Sequence, residues 1–280
     1  METTNSISQI SRIITTAGSN PVVVLCDDLN EYVCKYSIGT PAKKLLIEYL
    51  GHAFASLWGI SIPEGKFVKI ASEHVPDEIL SNSTQRRYFD IPTIGSLNYP
   101  ESKEIDRTLV ASWKAKKSQL KKVQNKEDLL KIGLFDLWLA NEDRNHNNFN
   151  LLVNSADGGV KIVAIDHEKC FNSGIINNDR PPYQINGDES ILTSDLVPLF
   201  FVQNAKLAEH INNILVEFPT HIDICQRELP QILQQLPIEW GINQDEIREF
   251  LNNHIFVQSW REETEENFRQ LISDSFQQLV

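Results

Sequence analysis

The stretch NEDRNHNN, residues 141–148, decides the fold predicted for this chain, together with IDH at residues 165–167. Between them lie two short runs rich in Leu, Val and Ile, residues 149–153 and 160–165, separated by residues typical of a hairpin turn. A hairpin centred on Asp157 would place Asn148 opposite Asp166, with Cα atoms about 4.5–5.5 Å apart. The sequence therefore predicts two oxygen-bearing side chains side by side at one end of a β-hairpin.

An amide and a carboxylate in this arrangement are typical of a magnesium site. Mg²⁺ prefers hard oxygen ligands, takes one or two of them from protein, and leaves its other positions to water and substrate phosphates. Asn148 and Asp166 are therefore the predicted metal ligands. Asp143 lies five residues before Asn148, on the loop that leaves the preceding predicted helix. We expect Asp143 to orient or deprotonate an attacking hydroxyl beside the metal.

Two other interpretations explain the same residues less well. Asp143-x-Asn145-x-Asn147 begins like an EF-hand calcium loop, which needs Gly at its sixth position and Glu at its twelfth. This chain has Asn148 and Asn154 there. A polar loop whose Asp and Asn side chains cap their own turns is the ordinary explanation of such a pattern. The second Asp at the matching hairpin position favours the metal site.

The pattern Asp143-Arg144-x-x-x-Asn148, a hairpin and then Asp166 resembles the catalytic and metal-binding loops of HipA-like kinases and the related phosphatidylinositol 3/4-kinase-like branch. Asn141 before this Asp, and Arg144 after it, favour that branch over ordinary protein kinases and aminoglycoside-type kinases. The resemblance implies an α+β, bilobal protein-kinase-like fold, with a small antiparallel β lobe carrying one helix and a larger, mainly helical lobe. We expect the small lobe in residues 1–75 and the catalytic helical lobe in residues 76–280.

A lysine and a glutamate upstream match further parts of such a site. Lys35 lies in an apolar and aromatic run that is predicted as a strand; a solvent-facing lysine is the ordinary explanation, whereas a kinase lysine holds nucleotide phosphates. Glu48 lies in a helix predicted from Pro41 to Trp58, with Thr40 as its N-cap. Glu48 either pairs with Lys44 in solvent or orients Lys35, and the resemblance favours the second role.

A glycine-containing loop, residues 16–20, joins predicted strands at residues 6–15 and 21–26. Gly18 would let the backbone approach a phosphate closely, although a single Gly between strands is usually only a turn. HipA-like kinases hold such a loop over the nucleotide, so the resemblance implies that Gly18 and Ser19 bind ATP, with Ser19 as an autophosphorylation site.

The rest of the sequence predicts supporting structure. Residues 66–70 are predicted as the strand leading to the hinge between lobes, and the aperiodic stretch 167–198 as an activation or substrate-binding segment. The carboxyl-terminal part is predicted helical, with a break at Pro219. Between Lys103 and Lys131 nine basic residues stand against four acidic ones. A solvated helix face is the ordinary explanation, and an acidic partner or substrate is the alternative.

Composition excludes several classes of protein. With 41% hydrophobic and 23% charged residues over 280 positions, the chain is an ordinary globular protein. A net charge of -12 argues against direct nucleic-acid binding. No apolar run approaches the roughly 18 residues of a membrane span, and the amino terminus lacks a signal-peptide pattern. We therefore expect a cytoplasmic protein without membrane association, whose four cysteines are buried and unpaired.

Residues and resemblance together predict a kinase that uses ATP and Mg²⁺ to phosphorylate a protein Ser or Thr. Several HipA-like proteins are toxins restrained by antitoxins, so the resemblance implies an antitoxin partner as a hypothesis. One alternative is a lipid or small-molecule kinase, against which the lack of an amphipathic or polybasic terminus counts. The other is a catalytically dead nucleotide-binding module, although degenerate kinases usually lose some of the site residues that this chain retains.

Overall fold

The computed structural model describes residues 1–15, 20–81, 84–116, 118–155, 159–177, 180–201 and 206–277. Its amino-terminal part is a six-stranded sheet in the order β1-β5-β6-β4-β3-β2. Neighbouring strands are antiparallel except for β1 and β5, which are parallel. The strands are β1 (Glu2–Asn5), β2 (Arg12–Ile13), β3 (Val22–Leu25), β4 (Glu31–Lys35), β5 (Gly65–Lys69) and β6 (Thr93–Leu97).

The strand that leaves this sheet towards the rest of the chain is β6, so the prediction that residues 66–70 lead to the hinge is wrong. β5 does form there, but the chain then passes through short 3₁₀ turns and returns as β6 between β4 and β5. The sequence of these turns has neither the period of a strand nor that of an α-helix. The stretch before β6 therefore read as irregular, and the returning strand was not predicted. The predicted boundary after residue 75 falls inside this sheet.

The helix α1 (Lys43–Leu57) packs between the sheet and the helical part of the chain. The predicted cap at Thr40 is wrong, because Ala42 occupies the N-cap position without a side-chain hydrogen bond. A tertiary contact holds this end instead, since the Ala42 N–H donates to the carbonyl of Trp240 at 3.0 Å. The hydroxyl of Tyr49 donates to the carbonyl of Ile232 at 2.8 Å. The helical lobe thus fixes the position of α1.

A second, antiparallel sheet lies in the larger lobe, in the order β7 (Lys103–Glu104), β8 (Leu151–Asn154) and β9 (Lys161–Ala164). Leu151 pairs with Ala164, one residue away from the predicted register that would pair Asn148 with Asp166. The reason is the loop of six residues between Asn154 and Lys161. Because that number is even, the centre of the hairpin falls between two residues and not on Asp157, which lies outside the described residues.

The other helices form the body of the larger lobe, with an apolar core continuous with α1. The predicted break at Pro219 is wrong, because one helix runs through both Pro219 and Pro230. The cost of a helical proline, about 3 kcal/mol, is offset by an apolar face that includes Phe218, Ile222 and Leu229. In the described residues, no helix has the length and hydropathy to span a bilayer. The helices are α2 (Arg107–Ala115), α3 (Asp128–Trp138), α4 (Cys170–Gly174, a single turn with left-handed residues), α5 (Leu196–Phe201), α6 (Leu207–Gln234), α7 (Gln244–Phe250) and α8 (Gln258–Gln277).

His52 on α1 is expected to make the stability of the fold depend on pH. It lines a cavity of about 600 Å³ between α1 and α6, and burial lowers the pKa of His52 from 6.5 to about 4. Between these pH values the unfolded chain binds a proton that the folded chain does not. The free energy of unfolding should therefore fall by up to roughly 3 kcal/mol as the pH drops from 6.5 to 4.

Urea unfolding at a series of pH values measures this loss. The variant His52→Gln should lose much less stability over the same range, and the slope that remains belongs to other groups such as His167, whose pKa is also lowered by burial. Identical slopes for the two proteins would contradict the assignment to His52.

Candidate active site

Lys35, the last residue of β4, lies among three carboxylates. Its Nζ is 2.9 Å from Glu48 Oε2 and 2.6 Å from Asp166 Oδ1. Glu168 Oε2 lies 3.7 Å from the same nitrogen. Glu48 is buried, so it does not pair with Lys44 in solvent. The fold thus brings together three predicted site residues from β4, from α1 and from the loop after β9, and adds Glu168, which the sequence analysis missed.

Burial and neighbouring charges shift the pKa values of Lys35, Asp166 and Glu48 in different directions. Burial opposes the charge of Lys35, but the three carboxylates outweigh it and raise the pKa of this lysine above its ordinary value. Burial also opposes the charge of Asp166, yet Lys35 holds the pKa of Asp166 below its ordinary value. Burial raises the pKa of Glu48, and Lys35 offsets this only in part. Glu48 and Asp166 together therefore hold Lys35 in its charged form.

Gly51 lets α1 approach the loop after β9 closely. The backbone N–H of His167 donates to Glu48 Oε2 at 2.8 Å, and a Cβ on Gly51 would lie 2.4 Å from the Cβ of His167. A side chain on Gly51 would therefore force the two elements apart. Because Gly51 has none, Glu48 contacts both Lys35 and the backbone next to Asp166.

The variant Gly51→Ala is expected to be less stable than the parent by roughly 1–3 kcal/mol, the usual cost of overpacking. In an open helix the same change would stabilise by about 1 kcal/mol, so the sign of the effect tests the contact with His167. Thermal unfolding measures it. Gly39→Ala is the matched control, since a Cβ there would meet nothing within 4 Å. A melting temperature of Gly51→Ala at or above the parent value would contradict the contact.

Asp143 is held by two asparagine side chains. Its Oδ2 accepts a hydrogen bond from Asn148 Nδ2 at 2.9 Å and one from Asn150 Nδ2 at 3.2 Å. Asn150 was not predicted. Its position two residues after Asn148 could have indicated it, because alternate residues of an extended chain face the same side. Asn148 uses its side-chain nitrogen for this bond, so the side-chain oxygen of Asn148 does not contact Asp143.

Arg144 connects the loop of Asp143 with the loop of Asp166. It is fully buried and pairs with the equally buried Asp136 of α3. From Nη2 it donates to the carbonyl oxygens of Ile165 at 2.7 Å and of Asp166 at 3.4 Å. Arg144 was predicted only as part of a motif. Its partner Asp136 could have been recognised in the sequence, because Asp136 is the one acidic residue in the apolar run from Leu129 to Ala140.

Glu142 joins the same loop to the segment that follows Asp166. Its carboxylate accepts hydrogen bonds from Ser173 Oγ at 2.6 Å, Tyr183 OH at 2.7 Å and Asn172 Nδ2 at 3.3 Å. Asn172 and Tyr183 also bond to each other, through the side chain of the first and the backbone of the second. We call Glu142, Asn172, Ser173 and Tyr183 the Glu142 clasp. Residues 167–198 were predicted only as an activation or substrate-binding segment, and none of the clasp residues was singled out.

The backbone of the clasp is strained. Phe171, Asn172 and Ser173 have φ angles of 57°, 44° and 56°, a left-handed turn of three consecutive residues that are not glycine. This conformation costs L-residues about 1–2 kcal/mol each. Two short bonds to the end of α3 oppose this cost, from Phe171 N to Leu139 O at 2.6 Å and from Asn172 N to Ala140 O at 2.9 Å. The turn therefore depends on its contacts with the loop of Asp143.

Each predicted magnesium ligand keeps one oxygen atom that could bind a metal ion. Asp166 uses Oδ1 for Lys35 and for the backbone of Glu168, while its Oδ2 and the Oδ1 of Asn148 accept no hydrogen bond from any described residue. Two protein oxygens with the other positions left to water and phosphate are typical of Mg²⁺. The described part of the chain contains no group of three His, Cys, Asp or Glu residues able to hold a metal. Gly18 and Ser19 lie outside the described residues.

Together, the sheet with its single helix, the buried lysine–glutamate pair and the loops of the helical lobe define a protein of the kinase-like fold. The sequence model described as HipA-like kinase matches residues 7–272. The chain therefore belongs to the HipA-like kinase family, as the sequence analysis predicted. No curated protein matches it.

Among solved structures, the Helicobacter pylori proinflammatory kinase CtkA is similar with a TM-score of 0.54 and 13% identity, covering 99% of each chain. The Golgi casein kinase with Mn/ADP bound has a TM-score of 0.45 and 13% identity over 97% of this chain and 74% of the other. HipA of Shewanella oneidensis, in complex with HipB and operator DNA, has a TM-score of 0.31 and 11% identity, over 96% and 64%. The likeness to CtkA confirms the predicted bilobal α+β fold.

Proposed function

We propose that this protein is a kinase that transfers the γ-phosphoryl group of ATP to a Ser or Thr hydroxyl of a protein, with Mg²⁺ as its metal. The observation that carries the proposal is the contact of Lys35 with both Glu48 and Asp166. If Asp166 turned to a metal ion, Lys35 would remain fixed by Glu48 with part of its charge free for a phosphate. Membership of the HipA-like kinase family supports the same activity.

The proposed nucleotide site combines Lys35 with the metal ligands. Lys35 would bind ATP phosphates and Glu48 would fix the direction of its ammonium group. Asp166 and Asn148 would hold Mg²⁺, which supplies positive charge against the phosphate oxygens as the transferring group develops negative charge. Gly18 and Ser19 stay predicted as parts of a loop over the nucleotide.

Asp143 is the proposed catalytic residue. Its carboxylate would orient the acceptor hydroxyl and take its proton, and the amides of Asn148 and Asn150 fix where its oxygens point. Phosphoryl transfer passes through a loose, charge-rich transition state, so positioning and electrostatics supply most of the catalysis. Arg144 serves that positioning, because it ties this loop to the backbone of Asp166.

Transfer of label from ATP tests the proposal. The purified chain, Mg²⁺ and γ-labelled ATP are incubated with a cell extract, and we expect label on protein. Lys35→Met should abolish it, whereas Lys66→Met, a lysine of the same sheet that pairs with Glu2 and Glu64, should retain it. Label in lipid would favour the lipid-kinase alternative, and ATP binding without transfer to any acceptor would favour the dead nucleotide-binding module.

The role in the cell is a further hypothesis, drawn from the family alone. We propose a cytoplasmic toxin kinase restrained by an antitoxin protein. A gene for a small helix-turn-helix protein next to the gene of this chain, whose product binds the purified kinase, would support the idea. An isolated gene would count against it.

A further inference from the structure

Glu168 is a third carboxylate beside Lys35, and neither the proposed metal site nor the lysine–glutamate pair uses it. Its Oε2 lies 3.7 Å from Lys35 Nζ, and its side chain is only 12% exposed. At this distance the contact is electrostatic and not a hydrogen bond. Among the residues that the structure describes, none donates a hydrogen bond to this carboxylate. Glu168 therefore acts on Lys35 through its charge alone.

The backbone around Asp166 holds Glu168 in this place. Asp166 has a φ angle of 61°, in the left-handed region that residues other than glycine seldom adopt. The N–H of Glu168 donates to Asp166 Oδ1 at 3.4 Å. Arg144 donates to the carbonyl of Asp166, and Glu48 accepts from the N–H of His167, so the backbone is held on both sides. Unfavourable backbone that is kept in this way is typical of functional sites.

The charges around Lys35 oppose the approach of an anion. One ammonium faces the three carboxylates of Glu48, Asp166 and Glu168, which gives the cluster a net charge of −2. The lysine side chain is only 15% exposed, so water screens these charges less than it does at the surface. A phosphate that approaches Lys35 therefore meets the like charge of Glu168. A divalent metal ion would bring the net charge of the cluster to zero.

We propose, building on the proposed function, that Glu168 selects metal-bound nucleotide over free nucleotide, because its carboxylate repels from Lys35 any phosphate whose charge no metal offsets. When Asp166 serves the metal, Glu48 and Glu168 remain beside Lys35, so two negative charges still face one ammonium. A triphosphate without metal adds negative charge that nothing in this cluster balances. Glu168 is thus a specificity-determining residue for the nucleotide and takes no part in the transfer step.

Calorimetric titration with the β,γ-imido analogue of ATP tests the selection through binding and needs no turnover. The full chain is titrated once with excess Mg²⁺ and once with EDTA in its place. In Glu168→Gln the Kd measured in EDTA should fall at least about tenfold, as expected for removing a like charge at about 4 Å. The Kd measured with Mg²⁺ should change less than about threefold. Glu168→Asp keeps the charge, so both of its Kd values should stay within about threefold of the parent values.

Glu64→Gln is the matched control, because Glu64 Oε1 lies 3.4 Å from the Nζ of Lys66, a lysine of the same sheet outside the site. It should leave both Kd values unchanged. Three results would overturn this inference and leave the proposed function standing: an unchanged Kd of Glu168→Gln in EDTA, an equal gain in both media, or the same loss of selection in Glu168→Asp as in Glu168→Gln. If neither the parent nor the variants bind the analogue with Mg²⁺, the proposed function fails as well.

Discussion

Replacing Asp143 with asparagine is expected to lower kcat for phosphoryl transfer by about 10²- to 10⁴-fold, the range that a positioned general base contributes. The amide oxygen of an asparagine can still accept the hydrogen bonds from Asn148 and Asn150, so the loop should keep its shape. The asparagine cannot, however, take a proton from the acceptor hydroxyl. Steady-state transfer from labelled ATP measures kcat, and the KM for ATP should change little.

Asp188→Asn is the matched control for this experiment, because it removes an exposed carboxylate downstream of the clasp. We expect its kcat to stay within about twofold of the parent value, as for surface changes remote from the chemistry. A kcat of Asp143→Asn within tenfold of the parent would remove Asp143 from its proposed role, whatever the control shows.

The variant Arg144→Met is expected to lower the free energy of unfolding by about 3–5 kcal/mol, the cost of breaking a buried ion pair from one side. Both Arg144 and Asp136 have 0% exposed side chains, so the substitution leaves a carboxylate in the core without its cation. The carbonyl of Ile165 loses a donor as well. Because natural domains are stable by about 5–15 kcal/mol in total, urea unfolding should show a large shift of the midpoint.

Two further variants show how much of this loss comes from breaking the buried ion pair. Combining Arg144→Met with Asp136→Leu removes both charges and should recover part of the stability. Arg248→Met breaks the exposed pair with Asp245 and should cost at most about 1 kcal/mol. A double variant no more stable than Arg144→Met would indicate that the arginine acts through its bonds to the loop carbonyls and not through Asp136.

The sequence predicted the parts of the site that depend on local pattern. Lys35 lies on a short apolar strand and Glu48 on a periodic helix, and the fold brings both to Asp166 as expected. Asn148 and Asp166 stay predicted as the magnesium ligands, and the hairpin register from which they were predicted is wrong by one residue. Asp143 and Asn148 contact each other within one loop, so their proximity does not depend on that register.

Other parts of the site could not be predicted because they depend on tertiary structure. The clasp requires three left-handed residues in succession at Phe171–Ser173, which no local preference of these residue types favours. The returning strand β6 follows turns without a period, and α6 passes through Pro219 because its buried face outweighs the proline. In each case long-range packing overrides local propensity.

The anchoring of α1 determines how this site can be controlled. Its apolar side chains belong to one core with the helical lobe, whereas one face of the sheet, around Val24 and Tyr32, has a separate core. A rigid swing of α1 would therefore pull Trp58 away from Trp138, on which it stacks, and would expose apolar surface of the shared core to water. Glu48 therefore stays fixed relative to the helical lobe. A conformational change that controls the site would instead move β4, which carries Lys35, or the loops that carry Asp143 and Asp166.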